Sequence, residues 1–188
     1  MRSLLTIGLI LLTAAAAQAS PQSYVLQPQA STVGFETDFG PDKITGRMPV
    51  TQADLKIDFQ NVAGSTFTVT LDVAHAEASF PFAAQAMRGP KVLDSAEFPT
   101  ITFQSTSVKA DGDGAAVSGN MTIRGVTHPA QLHAAIYRQQ GTVAGDLSLL
   151  TIHLTGSVKR SEFGATGWSD MVGDQVRLDI LARIERVN

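Results

Sequence analysis

The chain contains no cysteine. That absence excludes disulfide staples, thiolate metal sites and a lipid-modified cysteine behind an export signal. Charge is also sparse: Asp, Glu, Lys and Arg make up 16% of 188 residues, with a formal net charge of −3. No Lys/Arg cluster is present, so the electrostatic footprint of a nucleic-acid binder and a basic patch for an anionic membrane are both missing. There is no phosphate-cradling Gly-Lys loop, no dinucleotide fingerprint and no G-x-S-x-G elbow. No apolar run reaches the about 20 residues that a spanning helix needs.

The N-terminus is the first positive signal. Met1-Arg2 is a short basic start, Leu4 to Leu12 is mostly apolar, and Ala17-Gln18-Ala19 is an A-x-A site. This is the layout of a secretory signal peptide, 1–19, cleaved after Ala19. The expected product is one exported domain, 20–188, which in a bacterium places it in the periplasm. A chain of this length buries an ordinary core without staples.

Beyond residue 20 the dominant period is two. Val33, Phe35, Thr37 and Phe39 alternate with polar neighbours. So do Leu55, Ile57 and Phe59, then Phe67, Val69, Leu71 and Val73, and the later runs at Ile101, Met121, Leu132, Leu150 and Val176. Such alternation marks half-buried strands. Turn chemistry separates the runs at Gly40-Pro41, Asn61–Ser65, Asp111–Gly114, Arg124–Val126, Gln140-Gly141 and Val172–Asp174. The fold class is therefore all-β. About eight antiparallel strands with short connections hide their edges in a barrel or sandwich. Two stretches break the rhythm: Phe82–Asp94, with one or two helical turns stopped by Gly89-Pro90, and the Gly-rich Arg160–Gly173.

Candidates for chemistry are few. His75, His128, His133 and His153 have no metal-ligand spacing, so no metal site is expected. His133 and His153 fall in strand patterns that would let them face each other across a sheet. Asp111-Gly112-Asp113-Gly114 lacks the acidic twelfth position of a calcium loop, where Thr122 stands, and reads as a hairpin turn. Gly119–His133 carries Arg124, Thr122, Thr127 and His128 around a glycine turn. It reads as a barrel corner, with an anion-holding cluster as the alternative.

Several segments, in order, resemble one family. Tyr24-x-Leu26 followed by Ser31-x-Val33-x-Phe35, then Glu97–Ser105, Gly119–Pro129, Arg160–Gly164 and Val172–Leu178 are similar to the corresponding segments of YceI-like proteins. The resemblance implies an extended, lipocalin-like antiparallel barrel with a long apolar tube. It implies an exported binding protein for a polyisoprenoid chain, such as an isoprenoid quinone or prenyl phosphate. It implies no common reaction.

On that footing, ligand contacts are sought among large apolar side chains and one arginine. Phe35, Phe67, Phe103 and Met121 belong to strand patterns and would either line the tube or fill it, and Phe98 stands in the Glu97–Ser105 segment. Phe80, Phe82, Met87 and Trp168 lie in the irregular segments that would form a mouth. Arg160 would clamp a phosphate, or pair with Glu162 or Asp170. The expected function is carriage or storage of an isoprenoid lipid, with no required cofactor, no catalytic residue and no nucleic-acid partner. Exchange would bring transient contact with a membrane or membrane protein, and homodimerisation is left open. The alternatives are a filled barrel acting as a non-catalytic interaction or stress-response module, and an enzyme using His128 or His133 as base at the mouth.

Overall fold

A computed structural model of the protein describes residues 20–138, 143 and 145–187. The expected export segment at 1–19 and the expected Gln140-Gly141 turn lie outside the described residues.

The strands are β1 (Gln22–Leu26), β2 (Thr32–Phe39), β3 (Asp42–Met48), β4 (Val50–Ile57), β5 (Thr66–Asp72) and β6 (Glu77–Ala78). After helix α1 (Pro81–Arg88) come β7 (Thr100–Asp111), β8 (Gly114–Ile123), β9 (Val126–Arg138), β10 (Leu149–Lys159) and β11 (Val172–Arg186). Every pairing is antiparallel. β1, β4, β5, β7, β8, β9, β10 and β11 follow one another around the sheet, and β11 closes on β1. The barrel thus has eight strands and no free edge along that ring.

β1 and β2 are two halves of one bent strand. A 3₁₀ turn at Pro28–Ala30 separates them, and Pro49 separates their partners β4 and β3. Proline cannot donate to the ladder, so both breaks fall where pairing must lapse. β11 is long enough to pair with both halves, Leu26 opposite Ile184 and Thr32 opposite Leu181. This produces the extended shape.

Strand β3 has too few large apolar residues to stand out by pattern. Its inward positions are Ile44, Gly46 and Met48, and the glycine interrupts the count. The Val172–Asp174 turn expected from sequence is instead the start of β11, which carries a bulge between Val172 and Val176. A glycine in a strand often marks such a bulge.

Helix α1 starts at Pro81, whose fixed φ suits the first helical position, and ends at Gly89. It and residues 89–99 cover one end of the barrel. Leu93 packs there with Val73, Ile101, Ile123 and Phe163. A second cluster gathers Tyr24, Leu55, Ile57, Leu150 and Ile184 where β1, β4, β10 and β11 meet. A third lies along β7, β8 and β9, around Val117 and Leu132.

Candidate functional site: an apolar lumen and its rim

Alternation along each strand sends every second side chain inward. Those side chains do not fill the barrel. They surround a cavity of about 470 Å³. The barrel is therefore hollow, which speaks against the filled-barrel alternative.

The wall is almost wholly apolar. Besides Trp168, its polar side chains are Ser31, Thr37, Ser65 and Arg160. Each of these four is committed within the protein. The Ser31 hydroxyl donates to the Gln27 carbonyl at 2.8 Å and accepts the Arg183 N–H at 2.9 Å. Thr37 Oγ1 lies 3.1 Å from the carbonyls of Gly173 and Gln175. Ser65 Oγ accepts the Asp58 N–H at 3.0 Å. Among the described residues no buried side-chain polar atom lacks a partner. A guest in the lumen therefore meets hydrocarbon contacts and little else.

Arg160 is 8% exposed, and its guanidinium is occupied. Nε donates to the Gly173 carbonyl at 2.9 Å, Nη1 to Ala165 and Gly167 at 2.6 and 2.8 Å, and Nη2 to Val172 at 2.9 Å. Burial pushes its pKa down, and the nearby Asp174 carboxylate opposes that push. Asp174 is itself held below the usual carboxylate range, first by the Ser161 backbone N–H. The expectation of a phosphate clamp, or of a pair with Glu162 or Asp170, is thus corrected. The planar fork ties the 160–173 segment to the start of β11, and no free fork faces the lumen.

Of the remaining sequence candidates, Phe35, Phe67, Phe103 and Met121 line the tube, as do Phe80, Phe82, Met87 and Trp168. Phe98 does not. Its ring lies over the β8–β9 turn, where a side chain on Gly125 would come within 2.8 Å of it. Phe98 stands in no alternating run: it precedes β7, and the loop sets its direction. Ile44, Phe59 and Phe163 also line the tube and were not singled out. Phe59 ended an alternating run, which was a usable signal. Phe163 belonged to no alternating run; its ring stacks edge-on against His128, with centroids 5.3 Å apart.

The rim gathers where α1 and the 160–173 segment meet. Phe82 is 82% exposed, and Phe80, Trp168 and Met171 are partly so, yet all four line the cavity. Phe80 leans on Phe39, with ring centroids 6.0 Å apart. Trp168 has φ of 53°, a left-handed backbone rarely adopted by a bulky residue. Its carbonyl accepts the N–H groups of Met171 and Val172, which fixes the turn. Lys91 Nζ stands 5.8 Å from the centre of the Trp168 ring. Among the polar wall groups, Tyr24 plays no part: its hydroxyl reaches out to the Leu147 carbonyl at 2.9 Å, and its ring meets Phe59 edge-on.

The histidines stay outside this cavity. His133 Nδ1 lies 3.4 Å from Asp111 Oδ2, and His153 Nε2 lies 2.7 Å from Asp179 Oδ1. They sit on neighbouring strands two positions out of register, not face to face. Among the described residues no group of three or more His, Asp or Glu is placed to hold a metal. The Gly119–His133 stretch is a corner. Arg124 and Gly125, with φ of 52° and 73°, make a two-residue hairpin turn of the kind that needs both angles positive. Arg124 donates to the Val92 carbonyl at 3.1 Å and lies 3.9 Å from Asp94, which pins the covering loop to the corner. Thr122 and Thr127 share a 2.7 Å hydrogen bond across the same hairpin.

Comparison with known proteins agrees with this architecture. The chain is 26% identical over 184 residues to a UPF0312 protein of Yersinia pestis (strain Pestoides F), covering 97% of this chain and 94% of that protein. It is 25% identical over the same length to a UPF0312 protein of Enterobacter sp. (strain 638). The crystal structure of Burkholderia cenocepacia BcnA superposes with a TM-score of 0.76 at 21% identity, covering 85% of this chain and 99% of that one. The Campylobacter jejuni YCEI protein superposes with a TM-score of 0.57 at 17% identity, covering 99% and 94%. These structures share the barrel. The YceI-like domain itself matches residues 24–184, so nearly the whole described barrel is one such domain and the chain belongs to the YceI-like family.

Proposed function

We propose that this protein is an exported carrier or store that holds one long apolar isoprenoid-type lipid, a quinone or a prenyl phosphate, in its lumen. One observation carries the reading: an apolar tube whose few polar wall groups are satisfied internally and which opens at an exposed apolar rim. Each methylene transferred from water into such a wall contributes about 0.8 kcal/mol. An insoluble chain is thereby held without directional contacts. A polar head group has no partner inside the tube and stays at the rim, beside Trp168 and Lys91. Membership of the YceI-like family supports binding as the role, and no step of catalysis is assigned.

Exchange requires the chain to leave without crossing water. The rim residues Phe80, Phe82, Trp168 and Met171 are at once lining and surface, so transient contact with a membrane joins two apolar phases. Aromatic side chains with a flanking Lys suit such an interface.

The test is native mass spectrometry of protein expressed with its own N-terminus and recovered from a bacterial periplasm without detergent. Solvent extraction then identifies any lipid. The expected result is an N-terminus at Ser20 and one bound isoprenoid per chain. An empty protein that also takes up neither added quinone nor prenyl phosphate would overturn the reading.

A further inference from the structure

One row of residues crosses the barrel wall through successive strand pairings. Gly46 on β3 pairs with Phe35 on β2, which pairs with Leu178 on β11. Leu178 pairs with Gly156 on β10, which pairs with Leu132 on β9, and that with Val117 on β8. Both glycines point inward: Gly46 lies between the lining residues Ile44 and Met48, and Gly156 between Leu154 and Val158.

Each glycine lies beneath its neighbour's side chain. A Cβ on Gly46 would run into the Phe35 ring tip, and one on Gly156 would lie 2.6 Å from a Leu132 methyl. Phe35 and Leu132 therefore lie along the wall, in the notches that the missing side chains leave, instead of crossing the lumen. The same device recurs with Phe103 leaning over Gly119. Glycine weakens a strand interior and often marks the close approach of another backbone; a Cβ on Gly46 would also meet the Glu77 carbonyl and one on Gly156 the Gln131 carbonyl, so each glycine admits both a neighbouring backbone and the side chain that lies over it. Gly46 and Gly156 have ordinary strand backbone.

We infer that the Gly46–Phe35 and Gly156–Leu132 pairs set the bore of the tube and so select the thickness of the chain it admits. This rests on the lipid-binding reading above and adds its selectivity. A bore kept open on two sides suits a methyl-branched chain, whose side methyls need room beyond that of a straight polymethylene. Filling a notch tips the neighbouring side chain into the lumen and removes that room, while a straight chain still passes.

The experiment compares uptake of geranylgeraniol and hexadecanol by native mass spectrometry and competition. These alcohols have main chains of equal length and differ in methyl branches and unsaturation, so phytanol, a saturated branched alcohol with the same main chain, is the control for stiffness. The purified protein is expected to prefer both branched alcohols. Gly156→Ala is expected to lower that preference about 10-fold, the order of one methylene in a fitted apolar pocket. The backbone carbonyl of Gln131 would lie 2.8 Å from the new methyl, so this variant's fold is checked by its melting curve. Leu178→Phe narrows the same row from a residue whose side chain already lines the cavity, and serves if Gly156→Ala does not fold. Uptake of all three alcohols with equal affinity, or equal losses in a folded variant, would overturn the bore assignment and leave lipid binding standing. Uptake of none would overturn both.

Discussion

Arg160 and Phe82 illustrate how residue identity acquires meaning from surroundings. An arginine near an apolar tube suggests a phosphate clamp, and only its carbonyl partners show it to be a tie. Arg160→Lys keeps the charge but loses the fork that reaches four carbonyls. The expected loss of stability is about 2 kcal/mol or more, from charged hydrogen bonds broken in a buried place. Urea denaturation measures it, and an unchanged midpoint would show that the tie is dispensable. Phe82 is the opposite case. Phe82→Asp touches an exposed side chain, so unfolding is expected to move by no more than about 0.5 kcal/mol. Transfer of lipid from vesicles to protein should slow markedly, because a carboxylate at the rim resists entry into hydrocarbon. Equal transfer rates would remove the rim from the exchange route. Phe82 was legible as a candidate because it stands in an irregular segment; its exposure was not.

At the level of elements, turns and charge ladders do the positioning. The β8–β9 hairpin needs a left-handed residue at Gly125, and Phe98 occupies the space a side chain would take. Gly125→Ala is expected to cost about 1–3 kcal/mol, the usual range for a residue held in a disfavoured backbone region. On the outer face of β2, β3 and β11, Glu36 is held below the usual carboxylate range by the Lys43 hydrogen bond and then by Arg177, and Asp38 by Arg177. A lowered folded-state pKa gives stability that is present above the ordinary carboxylate range and is lost as pH falls through the lowered values. The melting temperature of the wild type should therefore stand above that of Arg177→Gln at neutral pH, by the small margin expected of exposed pairs, and the gap should close on acidification. Parallel curves would show that the ladder contributes nothing. These turns were readable from Gly, Pro, Asn and Asp. Strand β3 and the bulged start of β11 were not, because a glycine in a strand looks like the glycine of a turn until its partner strand is known.

Over the whole molecule, closure of eight strands creates the site, since no single element contains it. A guest that binds the closed barrel and not the unfolded chain must raise stability, by about 2.7 kcal/mol at a hundredfold excess over Kd. Solvent-stripped protein is expected to melt at lower temperature, and returning an isoprenoid lipid should restore the original midpoint. No difference between stripped and loaded protein would argue against a guest in the lumen.

Side-chain alternation and turn chemistry are properties of neighbouring residues, so the all-β class, most strands, hairpin turns such as those at Asp111–Gly114 and Arg124–Val126, and the apolar inner face were legible in the sequence. The ordered segments from Tyr24 to Leu178 also carried the family. Tertiary structure alone decided that the barrel is hollow, that Arg160 is committed, that Phe98 turns away and that Phe35 lies flat over Gly46. Each of these depends on atoms that closure brings together from distant parts of the chain, and whether inward side chains meet across a lumen or lean along its wall is settled by their cross-strand neighbours.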